Sequence, residues 1–288
     1  SNSTKTFMRE VPYSFYMVLE NFFDPAHIPF AHHKLQSVRS KGCPININLL
    51  WNDKSLLSVM FQESPHLTNN SYRAGIMEFQ IPCYYRVTML NPTFNLFKNL
   101  HLFVIPIQED KTRLLIKFEL NRKNKIGRLL FQISPTWLKH VFINIFLDSD
   151  TLILYKQERH LKTIDKSYTN RNVYFTPSQS DKAVILYKKW VSKHLPTIPF
   201  FKNQSESKEL TREEVLDKYN QHTKHCIHCK RMLTLCRFFQ EAGTFMWGKI
   251  FSQTKNPFFL LLTLGNYVLF GKMLDLFKSR DYKHGKIK

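Results

Sequence analysis

Short runs of alternating apolar and polar residues fill positions 34–125, and this pattern restricts the fold more than any other feature. A period of two places successive side chains on opposite faces of a strand, and turn-forming pairs such as Asn52-Asp53 and Asn91-Pro92 separate the runs. The pattern predicts an antiparallel sheet with strands over residues 45–51, 55–61, 75–81, 84–90, 100–107 and 113–120.

Residues 126–165 are predicted to be helical, with a break at Ser134-Pro135. Apolar residues such as Trp137 and Val141 recur there at helical spacing. The other predicted elements are a helix over 13–25, a strand near 173–175, a helix over 179–194, a linker over 196–209 and a helix over 211–222 that opens with a capping box. The fold class is therefore α+β.

Asp24, His27 and His32 form the pattern D-x2-H-x4-H behind an apolar run. Two neutral imidazoles and one carboxylate leave open positions on an Fe(II) ion. Residues five apart on a regular helix point roughly 140° away from each other, so the two histidines cannot share a metal on an undistorted helix. Pro29 lies between them and can bend or end a helix.

The third ligand must come from elsewhere, and Asp150 is the candidate, with Asp148 as its rival. Both aspartates could instead be helix caps or solvated charges. His33 is a spare residue that could contact a ligand or the substrate. For the histidine pair alone, ordinary surface histidines are a serious alternative.

Several segments resemble, in the same order, the pheophorbide a oxygenase group of Rieske-type non-haem iron oxygenases. Besides residues 20–33, they are 147–158, 175–181, 188–194, 210–223, 226–230 and 280–282. The resemblance implies that His27, His32 and Asp150 are the metal ligands of a mononuclear Fe(II). It also implies that Asp24 is the carboxylate linking this iron to a neighbouring subunit's cluster, with Asn21 beside that electron path.

The resemblance further implies a helix-grip (START-like) catalytic domain, in which a curved antiparallel sheet grips a long helix. The implied reaction uses dioxygen on a chlorophyll-derived tetrapyrrole, most simply the ring opening of pheophorbide a in chlorophyll breakdown. The implied setting is a chloroplast membrane, either thylakoid or inner envelope, with ferredoxin as the electron donor and a trimeric homo-oligomer. Aromatic residues that could line a flat pocket, or could simply be core, are Phe22, Phe23, Phe30, Tyr84 and Tyr85.

One departure from the family is large. A Rieske [2Fe–2S] cluster is held by two histidines and two cysteines, in the signature C-x-H followed by C-x2-H. No such pair occurs in the sequence, where Cys226-Ile-His228 matches only the first half. We expect that the N-terminal cluster domain is missing because Ser1 lies inside a longer protein; the alternative is a genuine loss.

The net charge of +20 is high. Basic proteins often bind nucleic acid or anionic membranes, but the sequence contains no nucleic-acid motif. An acidic ferredoxin or an anionic lipid surface is the better candidate partner, although a basic exterior that only maintains solubility is as good an explanation. The five cysteines show no disulfide framework, which fits a reducing compartment.

Cys226 and Cys229 form a lone C-x-x-C that could be a redox switch, half of a metal site or two inert thiols. Zinc is conceivable because His222, His225 and His228 lie nearby, but no second ligand pair follows at finger spacing. The family resemblance supports a redox dithiol that responds to thioredoxin.

Residues 257–270 are mostly apolar, and residues 233–250 form a weaker apolar stretch broken by Arg237, Glu241 and Lys249. The first stretch is shorter than the roughly 20 residues that span a bilayer. The two could form a hairpin in or on a membrane, or else be buried core helices. The resembled group has C-terminal membrane anchors, which favours the membrane.

The predicted organisation has three parts. They are an iron-binding catalytic domain over 1–195, a linker with a helix and the C-x-x-C over 196–230, and a helical membrane-anchor region over 231–288. The second function class is a non-catalytic pigment- or lipid-binding helix-grip protein tethered to a plastid membrane, because fold alone does not fix function.

Overall fold

The computed structural model describes residues 5–64, 73–90, 96–164, 174–195 and 208–278. Its chain forms two compact units. The first comprises Ser1–Ile133 and Phe146–Leu210, and the second comprises Ser134–Ile145 and Thr211–Tyr282. The three-part functional division of the chain stays a prediction.

The first unit contains a seven-stranded antiparallel sheet in the order β1-β7-β6-β5-β4-β3-β2. Its strands are β1 (Phe7–Val11), β2 (Ile45–Asn52), β3 (Leu56–Glu63), β4 (Ala74–Gln80), β5 (Tyr84–Met89), β6 (Phe97–Gln108) and β7 (Lys111–Leu120). All six predicted strands are confirmed. The prediction missed β1, because Arg9 and Glu10 are buried in it and the strand shows no apolar–polar alternation.

Two helices of the first unit pack on this sheet. Helix α1 (Phe15–Phe22) contacts β6 and β7, and helix α5 (Lys182–His194) contacts α1, β2 and β3. Their buried residues include Phe15 of α1 and Trp190 of α5, whose rings both pack edge to face on Phe79 of β4. Burying these large apolar side chains is the main favourable term for this unit.

The first predicted helix is shorter than residues 13–25. It begins after Ser14, whose hydroxyl accepts a hydrogen bond from the Met17 amide, and it ends at Phe22. Pro25 explains the early end, because a residue before proline avoids the helical region. After it comes α2 (Ile28–Ala31), a single turn.

The predicted break at Ser134-Pro135 is confirmed, since it separates α3 (Lys125–Ile133) from α4 (Thr136–Ile164). The predicted strand near 173–175 is wrong where it is described, at Tyr174 and Phe175. Tyr174 instead uses its side chain: its hydroxyl donates to Glu20 and its ring covers Lys188. Val173 and residues 196–207 of the predicted linker lie outside the described residues.

The second unit is helical. Its elements after α4 are α6 (Arg212–Val215), α7 (Lys218–Gln221), α8 (Ile227–Thr254) and α9 (Pro257–Asp275). The capping box of Thr211 and Glu214 is confirmed. The helix that it opens is interrupted, because the Asp217 side chain caps a new turn by accepting from the Asn220 amide.

Helices α8 and α9 pack together along their lengths. The turn between them uses Lys255 in the left-handed region (φ 57°) and Asn256, which caps α9. Within the described residues, α9 is the helix that is long and apolar enough to cross a membrane, judged by length and composition. The mixture of helices and antiparallel sheet is confirmed, and its description as a helix-grip fold stays a prediction.

Candidate functional site

The single turn of α2 positions two of the predicted residues. His27 is its N-cap and His32 its C-cap, so the two rings leave the chain at opposite ends of one turn. Their Nε2 atoms lie 3.2 Å apart. The chain thus avoids the divergence that a regular helix would impose on residues five apart.

The third predicted residue, Asp150, comes from α4. Its Oδ2 lies 3.3 Å from His32 Nε2 and 4.0 Å from His27 Nε2. One ligand atom from each of the three side chains can be chosen so that all lie within 4.8 Å of one another. The structure therefore brings together the three residues predicted to bind iron; we call them the His2Asp cluster.

Hydrogen bonds orient the buried ring of His32. Its Nδ1 lies 2.7 Å from the Ser149 hydroxyl, which itself donates to the Phe146 carbonyl at 2.6 Å. Because the hydroxyl proton is already used, His32 Nδ1–H must donate to Ser149. The ring also stacks on Phe146, with 3.8 Å between centroids. Its Nε2 then carries the lone pair toward the cluster, as a metal ligand requires.

His27 is oriented in the same way. Its Nδ1 contacts the backbone carbonyl of Asp24, which can only accept a hydrogen bond. Nε2 is therefore the unprotonated nitrogen and faces the cluster. Burial lowers the pKa of His27, which favours the neutral imidazole that binds metals.

Burial raises the pKa of Asp150 to about 6. Asn21 donates a hydrogen bond to its Oδ2 over 3.1 Å and so lies beside the cluster. Its place beside an electron path stays a prediction. A buried carboxylate facing two imidazole lone pairs is an environment that a cation stabilises. The donor set thus fits a divalent transition metal such as iron.

The other predicted residues occupy different places. Asp24 contacts the cluster through its backbone carbonyl, which lies against His27 Nδ1. Its carboxylate accepts a hydrogen bond from the Ala26 amide at 2.9 Å. Burial raises the pKa of this carboxylate to about 6. Asp148, the rival ligand, forms an ion pair with Arg9. The ring of His33 accepts from the Arg39 amide, away from the cluster.

Two of the aromatic candidates for a flat pocket are core residues. Phe23 and Tyr85 are fully buried and pack edge to face, with ring centroids 5.3 Å apart. Phe30 is 54% exposed. The interpretation of Phe23 and Tyr85 as packing residues, left open by the sequence, is the one that their burial supports.

The C-x-x-C lies in the second unit, at the start of α8. Cys226 and Cys229 are both free thiols. Hydrogen bonding with Cys229 lowers the pKa of Cys226, and the same contact raises the pKa of Cys229. Sequence reasoning placed His222 near this pair but missed His140, which contacts Cys226 from a position 86 residues away.

Residues 79–168 match the family model described as pheophorbide a oxygenase. This segment is similar to a pheophorbide a oxygenase domain. This confirms the resemblance drawn from the sequence. The matched segment runs from β4 to just past the end of α4, and it includes Asp150.

Curated relatives align over most of the chain. It is 29% identical to pheophorbide a oxygenase of Oryza sativa subsp. japonica (79% of this chain, 45% of the relative) and 26% identical to that of Arabidopsis thaliana (85% and 49%). Protochlorophyllide-dependent translocon component 52 of Arabidopsis thaliana is 26% identical (77% and 46%). All three are described as chloroplastic, and the chain spans about half the length of each.

Among solved structures, dicamba monooxygenase bound to dicamba is similar to this chain. The alignment covers 67% of this chain and 57% of the dicamba monooxygenase chain. The TM-score is 0.48 and the sequence identity is 8%.

Proposed function

We propose that the chain is the catalytic and membrane-associated part of a Rieske-type oxygenase that uses a mononuclear non-haem Fe(II). The observation that carries this proposal is the His2Asp cluster, whose two imidazoles turn their lone pairs toward one carboxylate. Two histidines and one carboxylate are the ligand set of oxygen-activating non-haem iron, because they leave positions open. Iron bound there would supply dioxygen activation.

The chain's own residues would then hold and tune that site. His27, His32 and Asp150 are the proposed ligands. Asn21 would fix the carboxylate of Asp150 through its 3.1 Å hydrogen bond. Asp24 would hold His27 in the required tautomer and would lie on the path by which electrons arrive from a neighbouring subunit. The partly buried ring of Phe146, which stacks on His32, would keep bulk water from the ring of His32.

The proposed substrate is a chlorophyll-derived tetrapyrrole, most simply pheophorbide a opened to a linear product. The family model and the rice and Arabidopsis relatives support this assignment. The name of another relative refers to protochlorophyllide, a tetrapyrrole as well. Electrons would come from ferredoxin through a Rieske [2Fe–2S] domain outside residues 1–288, within a trimeric assembly.

We propose that α8 and α9 attach the protein to a plastid membrane. Apolar side chains on α9 such as Leu261 and Tyr267 are mostly exposed. The polar Asn266 turns toward α8 and donates to the Gln240 carbonyl at 3.0 Å and the Thr244 hydroxyl at 3.2 Å. Polar residues between helices with apolar outer faces are typical of helix pairs in lipid.

Iron binding tests the central proposal. The full chain, purified and reconstituted anaerobically, should bind about one Fe(II) per chain. Replacing any one of the three ligands by alanine should abolish this binding. His33→Ala is the matched control, because His33 lies in the same segment outside the cluster and should leave iron binding intact.

A wild-type chain that folds and yet takes up no Fe(II) would favour the second function class, a non-catalytic pigment or lipid binder. A chain that binds iron would next be joined to its electron-transfer partners and supplied with pheophorbide a. Substrate-dependent oxygen consumption, lost in Asp150→Ala, is the expected result.

A further inference from the structure

A second group of metal-ligating side chains lies in the second unit. Its members, which we call the Cys2His2 cluster, are His140, His222, Cys226 and Cys229. One ligand atom from each lies within 4.8 Å of all the others. Three of the four residues are buried, and Cys226 is half-buried. The proposed oxygenase reaction uses none of the four as an iron ligand.

The distances within the cluster match those around one tetrahedral ion. Zinc with Zn–S of about 2.3 Å and Zn–N of about 2.0–2.1 Å keeps its sulfur and nitrogen ligands about 3.5 Å apart. His140 Nδ1 lies 3.3 Å from Cys226 Sγ and 3.6 Å from Cys229 Sγ. His222 Nε2 lies 3.4 Å from Cys229 Sγ. The two imidazole rings are nearly perpendicular, with 5.1 Å between centroids.

Local structure holds the ligands in place. Cys226 is the N-cap of α8 and Cys229 lies in its first turn, so both sulfurs project to the same side at i and i+3. His222 lies in the segment before α8. This segment is held in place by a hydrogen bond of 2.7 Å, which the Thr223 hydroxyl donates to the Phe277 carbonyl. His140 comes from the first turns of α4, next to the buried Val141.

We propose that the Cys2His2 cluster binds one Zn²⁺ as a closed structural site. Four protein ligands leave no open position, which distinguishes structural from catalytic zinc. Binding would release the two thiol protons to solvent, with no change in oxidation state. The ion would bind the start of α4 to the start of α8 inside the second unit.

The same geometry argues against two other occupants. A Rieske-type cluster also uses two cysteines and two histidines, but it places each pair on a different iron, which separates sulfur from nitrogen by more than one metal–metal distance. The 3.3–3.6 Å contacts between sulfur and His140 nitrogen are too short for that arrangement. A simple redox dithiol gives no reason for two buried histidines to face both sulfurs.

The test is the metal content of the full chain, purified under reductant from zinc-supplemented cells. About one zinc per chain is expected by elemental analysis. Cys226→Ser and His140→Ala should each lose it. Cys236→Ser is the matched control, because Cys236 is buried in the same core but outside the cluster, and it should retain the zinc.

Cobalt substitution keeps the proposal testable if the ligand variants fail to fold. Co²⁺ in the wild-type chain should give the absorption of a tetrahedral site with thiolate-to-cobalt charge transfer. Asp150→Ala, which should lose iron, should still bind zinc, and this result would separate the zinc proposal from the iron proposal. If Asp150→Ala lost its zinc, the two sites would not be independent, which would contradict the proposal. Three results would overturn the assignment. The wild-type protein could contain no zinc while both thiols are reduced, or it could contain a Cys226–Cys229 disulfide after anaerobic purification. It could also contain acid-labile sulfide that is absent from Cys226→Ser.

Discussion

Arg9 and Asp148 form a buried ion pair, with 2.7 Å between Nη2 and Oδ1 and at most 3% of either side chain exposed. The pair joins β1 to α4. It also separates two aspartates that are only two residues apart, because Asp148 faces Arg9 while Asp150 faces His32. The choice between the two possible third ligands thus depends on which of them already has a cation beside it.

Asp148→Asn should therefore leave iron binding at about one ion per chain while it destabilises the first unit. Removing one partner of a buried ion pair typically costs about 3–5 kcal/mol, because the other charge stays buried. Thermal unfolding and iron titration would measure the two effects. Asp150→Asn is the comparison, with iron lost and a smaller change in stability. The reverse pattern would make Asp148 the ligand.

Ser149→Ala should weaken iron binding without removing any ligand. The variant deletes the acceptor that orients His32 through Nδ1, and loss of such a partner typically lowers metal affinity about 10–100-fold. Competition with a chelator would give the affinity. Thr151→Ser, on the same buried stretch of α4, should bind iron like the wild type. If Ser149→Ala and the wild type had equal affinities for iron, Ser149 would not be needed to orient His32 for metal binding.

The first unit should lose stability in acid, because the stabilising contribution of ionised Glu10 is lost there. Burial raises its pKa, but hydrogen bonds from Lys111 and Arg113 outweigh this, so the net pKa lies below the ordinary value. A depressed pKa stabilises the fold above the unfolded pKa of about 4.3, and this contribution disappears as the pH falls through the folded value. Glu10→Gln should unfold more easily at neutral pH, and the difference from wild type should shrink below about pH 4. A gap that does not change with pH would contradict the assignment.

Leu264→Arg should detach the chain from anionic vesicles in a flotation assay. Leu264 lies mid-way along α9 and is 54% exposed. Arginine at such a depth costs about 2.5–3.5 kcal/mol on insertion scales, or roughly a hundredfold in binding. Leu50→Arg, on the exposed face of β2, is the control and should still float. Equal flotation of both variants would exclude α9 as the membrane contact.

The sequence could predict the strands because their side chains alternate between two faces, as in β7, where Leu114 and Ile116 are buried and Arg113 and Lys117 are exposed. It could not predict β1, where Arg9 is buried only because Asp148 arrives from α4 to neutralise it. The two residues are far apart in the sequence, so the spacing of residues within either segment cannot indicate that they pair.

The candidate sites divide in the same manner. His27 and His32 were predictable because they lie five positions apart in one short segment, with a proline between them. The resemblance was the reason to prefer Asp150, since nothing in its own segment distinguishes it from Asp148. His140 was missed because its partners His222 and Cys226 lie more than 80 residues later, and only the folded second unit brings them together.

The hairpin of α8 and α9 limits the ways in which the proposed membrane attachment could be made. The carbonyl of Lys278, three residues after α9, accepts a hydrogen bond at 3.1 Å from the amide of Tyr219 in α7, the short helix that precedes α8. Both ends of the hairpin therefore emerge on the same side, so the number of crossings must be even. Helix α8 exposes Arg237, Glu241 and Lys249, which lipid tails would not solvate. For the proposed attachment, an even count together with those charges favours a monotopic arrangement, in which the hairpin lies within one leaflet.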